Sequence, residues 1–166
     1  RGEKILLLTY THKASDRLCE SLAGLTIDDM PLSILRNAHP SKVDSQWKQY
    51  CIPSIVGEGT AEDGERFREK LYGHDVLMST VSSFGPDSEL ADLFEYDCVV
   101  VDEASQVIEG DLAAIMSWAK KIILVGDIYQ LPAISQVLEE EELKVPSLLE
   151  IGLESFSDSP LERLML

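Results

Sequence analysis

Two runs of this chain end in side chains able to hold a metal ion and activate water. The first is Val99-Val100-Val101-Asp102-Glu103-Ala104-Ser105-Gln106, and the second is Ile122-Ile123-Leu124-Val125-Gly126-Asp127-Ile128-Tyr129-Gln130-Leu131-Pro132. Asp102 can hold Mg²⁺, largely through water, because that small hard ion keeps several waters and takes few carboxylates. Glu103 points elsewhere, as the next residue after a strand, and can orient or deprotonate a water attacking a terminal phosphate. The alternative for both is a pair of exposed helix-capping acids. Gln130 carries a carbonyl and an amide and can bridge that water and a γ-phosphate oxygen. Gly126 would permit close backbone approach or an unusual dihedral, and Pro132 would fix the loop's exit. The alternative here is a tight surface turn with an exposed glutamine.

The elements around these residues read as an α/β fold. Residues 98–101 and 122–125 are continuously apolar and largely β-branched, as strands buried on both faces of a parallel sheet require. Between them Ile108, Leu112, Ile115, Met116 and Ala119 recur at three- and four-residue spacing, which predicts a helix crossing over the sheet in a βαβ unit. Ligands in such sheets bind beyond the carboxyl ends of the strands, so Asp102, Glu103, Asp127 and Gln130 are expected along one edge. Upstream, residues 5–10 read as a strand, 11–16 as a polar turn into a helix ending near Leu22, and 33–36 as a short strand. Leu18, Leu22 and Leu25 form one apolar stripe. Residues 62–71 read as a charged helix, 75–80 as a strand, and 84–88 as a loop before a short helix through Phe94. Helical pieces are expected at 148–153 and 161–166, while Glu139-Glu140-Glu141-Glu142 carries no chemistry.

Composition sets outer limits. With 166 residues, 45% hydrophobic and 27% charged, this is one ordinary globular domain rather than a disordered chain. Cys19, Cys51 and Cys98 are odd in number and widely spaced, which suggests neither a disulfide framework nor a zinc site and fits a reducing intracellular setting, cytoplasmic or nuclear. Residues 1–8 lack the pattern of a signal peptide, and no apolar run approaches membrane-spanning length. A net charge of −16 opposes a broad electrostatic grip on nucleic acid, so any such contact is local or shared. The basic residues gather at Lys4, Lys13 and Arg17 and again at Arg36, Lys42 and Lys48, with scattered solvated charges as the plain alternative.

Taken together, the Asp102-Glu103-Ala104-Ser105 and Gly126-Asp127-Ile128-Tyr129-Gln130-Leu131-Pro132 segments resemble paired motifs of superfamily one helicases, in the branch of the nonsense-mediated decay helicase and the replication helicase-nuclease. Gln106 matches that branch's Ser-Gln continuation. Residues 7–14, Leu7-Leu8-Thr9-Tyr10-Thr11-His12-Lys13-Ala14, are similar to the family's next motif, and Met78-Ser79-Thr80-Val81-Ser82-Ser83-Phe84 to another at a strand end. Residues 159–165 are similar to the segment closing the first RecA-like domain. The resemblance implies a RecA-like parallel sheet flanked by helices, with ATP and Mg²⁺ as cofactors. It implies that Asp102 binds metal, Glu103 activates water, Asp127 and Gln130 face the nucleotide, and Thr9, His12, Lys13 and Thr80 touch single-stranded nucleic acid, DNA or RNA. For each of these last four, a turn or cap is the equal alternative.

The chain departs from the family pattern in having no Gly-x-x-x-x-Gly-Lys-Ser/Thr, which Gly57-Glu58-Gly59 does not replace, and in carrying Ala133 where the family has a second proline. The expectation is therefore that residues 1–166 are part of a first RecA-like domain, truncated at its N-terminal strand and phosphate-loop helix. Such a piece works with the remaining helicase domains in cis, away from any membrane, and is expected to be inactive alone. Two other functions compete with the helicase or translocase reading. One is a non-catalytic interaction module of RecA-like shape; the other is a metal-dependent nuclease using Asp102, Glu103 and Asp127.

Overall fold

The computed structural model describes residues 2–56, 61–84, 94–117, 119–134, 145–155 and 158–165. In chain order, β1 (Ile5–Thr9) leads into α1 (His12–Leu22), the short strands β2 (Thr26–Ile27) and β3 (Met30–Pro31), and β4 (Ile34–Asn37). There follow α2 (Ile52–Val56), α3 (Ala61–Gly73), β5 (Val76–Thr80), β6 (Cys98–Val101), α4 (Glu109–Met116), β7 (Ile122–Leu124), α5 (Pro146–Glu150) and α6 (Pro160–Met165). The strands β4-β5-β1-β6-β7 lie side by side in that order, every pairing parallel, in an α/β sheet of RecA-like form. Ile5 aligns with Val76 on one side and Cys98 on the other, and Val99 aligns with Ile122. This register brings the ends of β1, β5, β6 and β7 to one edge.

Side chains on successive strand residues point to opposite faces, and each face has its own core. Leu6, Leu8, Leu77, Val99 and Val101 pack on one side with Leu35, Phe84, Tyr96 and, from α4, Leu112 and Ile115. Leu7, Val76 and Met78 pack on the other with Ile34 and, from α1, Cys19, Leu18 and Leu22. Full burial of each aliphatic side chain contributes about 1.5–3 kcal/mol, so the apolar runs of β1 and β5 hold the sheet's centre.

Several expectations are corrected. The helix starts at His12, not after a turn through residue 16, because the Thr11 hydroxyl caps it by accepting from the Ala14 backbone N–H at 3.1 Å. It ends at Leu22, which leaves Leu25 exposed and outside the apolar stripe. Met116 is likewise exposed, and Ala119 has left the helix to form an isolated bridge with Tyr96. Among the described residues β7 is an edge strand and is not covered on both sides. Ile122 and Leu124 pack on the core, but Ile123 is 38% and Val125 47% exposed. Between β2 and β3, Asp28 and Asp29 both adopt left-handed backbone, the geometry of a tight hairpin turn. The expected loop and helix between Gly85 and residue 93, Gly57-Glu58-Gly59, and the Glu139-Glu140-Glu141-Glu142 block lie outside the described residues.

Arg36 is not a solvated charge. It is 1% exposed on β4 and forms an ion pair with the buried Asp16 of α1, which also accepts from the Asp44 backbone N–H at 3.1 Å. Removing one partner of such a pair costs about 3–5 kcal/mol, because the other charge is left buried and alone. Nor do Lys4, Lys13 and Arg17 form one patch. Lys4 lies before β1, where its ammonium donates to the Tyr72 and His74 carbonyls at 2.8 and 3.1 Å, whereas Lys13 and Arg17 follow the strand's other end.

Candidate functional site

The turn after β6 is assembled from backbone bonds to both neighbouring strands. Asp102 N–H donates to Leu8 O at 2.8 Å, carrying the β1 pairing one residue past the strand. The chain then crosses towards β7: Val125 N–H donates to Val101 O, and Ala104 N–H donates to Val125 O, each at 2.9 Å. Fitting this crossing into one residue forces Glu103 into left-handed backbone, with φ of 56° and ψ of 41°. That conformation costs a residue with a side chain about 1–2 kcal/mol, and such strain concentrates at functional sites. A short 3-10 turn over residues 104–106 closes the loop, with Gln106 N–H donating to Glu103 O at 2.9 Å.

The Gln106 side chain completes the arrangement. Its Nε2 donates to Glu103 Oε2 at 3.3 Å, leaving the carboxylate's other oxygen uncommitted by this bond. Sequence reasoning noted Gln106 only as a continuation of the motif. The usable signal was its three-residue spacing from Glu103, which in a helical turn places two side chains on one face.

Gly126 explains why the two acidic loops can touch. A Cβ at this position would lie 2.8 Å from Leu161 Cδ2, 3.0 Å from Ala104 N and 3.1 Å from Ser105 N. The glycine is therefore required by close packing of the Asp102–Glu103 turn against the end of β7. Leu161 is buried on α6, whose Arg163 forks onto Glu109 of α4 at 2.5 and 3.0 Å. Residues 159–165, expected to close the domain, thus brace the acidic turn from behind.

Asp127 organises the second loop around itself. Its Oδ1 accepts from Tyr129 N–H at 2.9 Å, its Oδ2 accepts from Gln130 Nε2 at 3.2 Å, and its carbonyl accepts from Gln130 N–H at 3.1 Å. With its amide tied down, Gln130 has its side-chain carbonyl left to offer. Of the rest of the loop, Ile128 is half-buried and packs against the core, Tyr129 is 92% exposed, and the chain returns to the protein at Ala133, which is buried. Asp102 and Glu103 are half-buried, and Asp127 and Gln130 are exposed, all four beyond the ends of adjacent parallel strands.

At the ends of β1 and β5 the predicted residues separate into two kinds. Thr9 and Thr80 are buried, with their hydroxyls engaged nearby: Thr9 Oγ1 donates to Thr11 O at 2.9 Å and lies 2.6 Å from Ser15 Oγ, while Thr80 Oγ1 donates to Ser83 Oγ at 2.8 Å. They shape the two turns. His12 is half-buried and Lys13 exposed, both in the first turn of α1. Desolvation holds the His12 imidazolium below the usual histidine range, reinforced by Lys42 and Arg36 and opposed by Asp16.

Residues 58–136, which carry both acidic loops and Thr80, match the AAA domain family. The chain is also similar to the DNA replication ATP-dependent helicase/nuclease dna2 of Schizosaccharomyces pombe, 31% identical over 132 residues that cover 80% of this chain and 9% of the relative. The corresponding JHS1 protein of Arabidopsis thaliana is 31% identical over 142 residues, covering 86% of this chain and 10% of the relative. The human DNA2 protein is 26% identical over 131 residues, covering 79% and 12%. The chain belongs with the superfamily one helicases. It spans about a tenth of the length of these curated relatives. As a superfamily one chain it carries its acidic loops on the sheet edge that the parallel topology selects, and no helix among the described residues is long and apolar enough to cross a membrane.

Proposed function

We propose that this chain is part of the first RecA-like domain of an intracellular, ATP-dependent helicase or translocase acting on single-stranded nucleic acid. The observation that carries the reading is Glu103, held in left-handed backbone in a turn whose next two residues, Ala104 and Ser105, pack against Gly126 of the neighbouring strand end, with its carboxylate oriented by Gln106. Simple folding has no need of a strained glutamate at that position. Relatives named as ATP-dependent helicase/nucleases support the same reading.

In this reading Asp102 and its neighbours fit Mg²⁺ in donor type, since that ion takes one or two carboxylates and otherwise water and nucleotide oxygens. When bound, it would neutralise charge on the β- and γ-phosphates of ATP. Glu103 accepts a proton from the attacking water through the carboxylate oxygen that Gln106 leaves uncommitted. Gln130, its amide held by Asp127, presents its carbonyl to that water and reports the nucleotide's state to the loop. His12 and Lys13 contact the strand's phosphates, which position without reading sequence, and Thr9 and Thr80 shape the turns beneath. The remaining helicase domains act in cis. The nuclease alternative is less well supported. Asp127 spends both carboxylate oxygens within its own loop, on Tyr129 N–H and Gln130 Nε2.

The test is phosphate release from the 166-residue chain beside a longer chain that contains a phosphate-binding loop and a second RecA-like domain, with Mg²⁺ and single-stranded nucleic acid present. The short chain should be inactive, since it lacks the loop lysine and backbone cradle that position the triphosphate. In the longer chain Glu103→Gln should keep nucleotide binding and lose about 10²–10⁴-fold in turnover. Turnover by the short chain that vanishes on Glu103→Gln would show that the phosphate-binding elements lie elsewhere. Wild-type turnover by the longer variant would remove Glu103 from its role and leave the interaction-module reading standing.

A further inference from the structure

The acidic loops occupy the edge where the parallel strands end, and a groove lies at the edge where they begin. Ile34, Val76 and Ile5 align at the starts of β4, β5 and β1, so the residues before them, Ser33, Asp75 and Lys4, form one row. Hydrogen bonds lock that row. Asp75 N–H donates to Ser33 O at 2.9 Å, Asp75 Oδ2 accepts from Ser33 N–H at 2.8 Å, and Asp75 O accepts from Ile5 N–H at 2.9 Å. The three residues share a groove of about 550 Å³ with Met30 and Pro31 of β3, Tyr72 of α3 and Glu3. Met30 is 52% and Tyr72 59% exposed, and Pro31 is exposed beside them. The Tyr72 ring stands edge-on to Phe94, with 5.6 Å between centroids. Lys4, the ammonium lining the groove, is already spent: it donates to Tyr72 O and His74 O and lies 5.4 Å from the Phe94 ring centroid. The charge left over is negative. Asp75 Oδ1 has no hydrogen-bond partner among the described residues, Glu3 is exposed, and Asp28 and Asp29 are exposed at the tip of the hairpin that supplies Met30 and Pro31.

We propose that this groove docks a segment of a partner protein carrying an arginine beside an aliphatic residue, the guanidinium bonding to Asp75 Oδ1 and lying against Tyr72 while the aliphatic side chain covers Met30 and Pro31. A fixed carboxylate next to an exposed aromatic ring suits a planar cation that both donates hydrogen bonds and stacks. Lysine suits it less, because a compact, strongly hydrated ammonium neither forks onto a carboxylate nor lies flat on a ring. Charge complementarity points to the same partner. The free charges at the groove are acidic and the chain carries −16 overall, so a basic segment is attracted, while nucleic acid and acidic segments are repelled. The apolar wall excludes a lone small cation as the natural guest, since it would leave Met30 and Pro31 uncovered. Asp75 is held by three bonds before anything binds, so docking orders the guest and not the site. The groove and the acidic loops lie at opposite edges of the sheet, so this proposal stands or falls independently of the helicase reading.

The test titrates the isotopically labelled whole chain, by NMR, with a blocked peptide holding one arginine between two leucines. The same peptide with lysine or with citrulline, the neutral isostere of arginine, and the blocked single amino acid acetyl-arginine amide serve as comparisons. The arginine peptide should shift the amides of Glu3, Tyr72, Gly73 and Asp75 and the Met30 methyl saturably, leave Gly126 at the far edge unmoved, and bind more weakly as salt is raised. Citrulline should weaken binding about tenfold, since it keeps the shape and loses the charge. Asp75→Asn should do the same while its side-chain oxygen keeps the Ser33 N–H bond. Tyr72→Ala, at an exposed position, should weaken binding about two- to fivefold, and with Glu3→Gln it carries the test if Asp75→Asn does not fold. Lysine and citrulline peptides that bind as well as the arginine peptide overturn the proposal, as does binding that Asp75→Asn, Tyr72→Ala and Glu3→Gln all leave unchanged. Acetyl-arginine amide binding as tightly as the peptide overturns it too, because the groove would then be a site for a small cation. Absence of saturable shifts at the groove leaves no docking site there.

Discussion

The loop that follows β6 and the loop that follows β7 carry similar residues and are held in different ways. Glu103 owes its place to its neighbours: Leu8 and Val125 accept the backbone bonds on either side of it, and Gly126 leaves the space its turn occupies. Asp127 and Gln130 owe theirs to each other, through three hydrogen bonds that all close within residues 127–130. A carboxylate held by packing keeps its geometry through exchange of water around it. Ile128 anchors this loop to the core, but the Gln130 side chain is held by Asp127 alone and can change position when a ligand competes for that partner. The difference matches the division of labour proposed for them, with Glu103 as the fixed base and Gln130 as the mobile reporter.

The largest effect on this comparison should come from Gly126→Ala, the one change that pushes the two loops apart. The added methyl meets the backbone nitrogens of Ala104 and Ser105 as well as Leu161 Cδ2, and overpacking of this kind costs about 1–3 kcal/mol. Urea unfolding measures it. Measured against Leu161→Ala alone, Gly126→Ala should cost as much as it does in wild type, because the side chain can yield but the two backbone atoms cannot. A Gly126→Ala change that costs nothing in the Leu161→Ala background would show that Leu161, not the Glu103 turn, is what the glycine accommodates.

This contact also marks where reading the sequence reaches its limit. The central strands were legible because residues buried on both faces leave uninterrupted apolar runs, and the acids were legible because they end those runs. The same rule misjudged β7, since an apolar strand has the same letters whether or not anything covers Ile123 and Val125. Burial of Arg36 depends on Asp16, twenty positions away on another element, and nothing local announces it. The hydroxyls of Thr9 and Thr80 could be assigned outwards or inwards from sequence, and only the positions of Ser15 and Ser83 decide that they turn inwards. Left-handed backbone falls on Gly152, where the residue type permits it, but also on Asp28, Asp29 and Glu103, where no glycine announces it, because a turn's geometry is imposed by the strands it joins.

A smaller effect separates two truncations of Glu103. Alanine retains a side chain in left-handed backbone and glycine does not, so Glu103→Gly should be more stable than Glu103→Ala by about 1 kcal/mol, after the extra chain entropy of glycine is set against the relief of strain. Both remove the carboxylate, so stability and water activation are varied independently. Equal unfolding midpoints would mean that the turn relaxes once the side chain is gone, and that the Glu103–Gln106 contact, rather than the strands, imposes the strain.

The smallest effect belongs to Asp127 and bears most directly on the mobile half of the comparison. Asp127→Ala removes the acceptor for Tyr129 N–H and Gln130 Nε2, but both donors are exposed and turn to water, so the loss should be about 0.5–1 kcal/mol. Asp127→Asn should cost less still, since its amide oxygen can keep the Tyr129 bond. Its nitrogen would then face the Gln130 nitrogen, donor against donor, until Gln130 turns over and accepts with its own carbonyl. The loop would keep its shape while the free end of Gln130 changes from acceptor to donor. Faster exchange of the Gln130 side-chain amide in Asp127→Asn, at nearly unchanged stability, would show that Asp127 sets which group Gln130 presents; exchange as slow as wild type would show that another partner holds it.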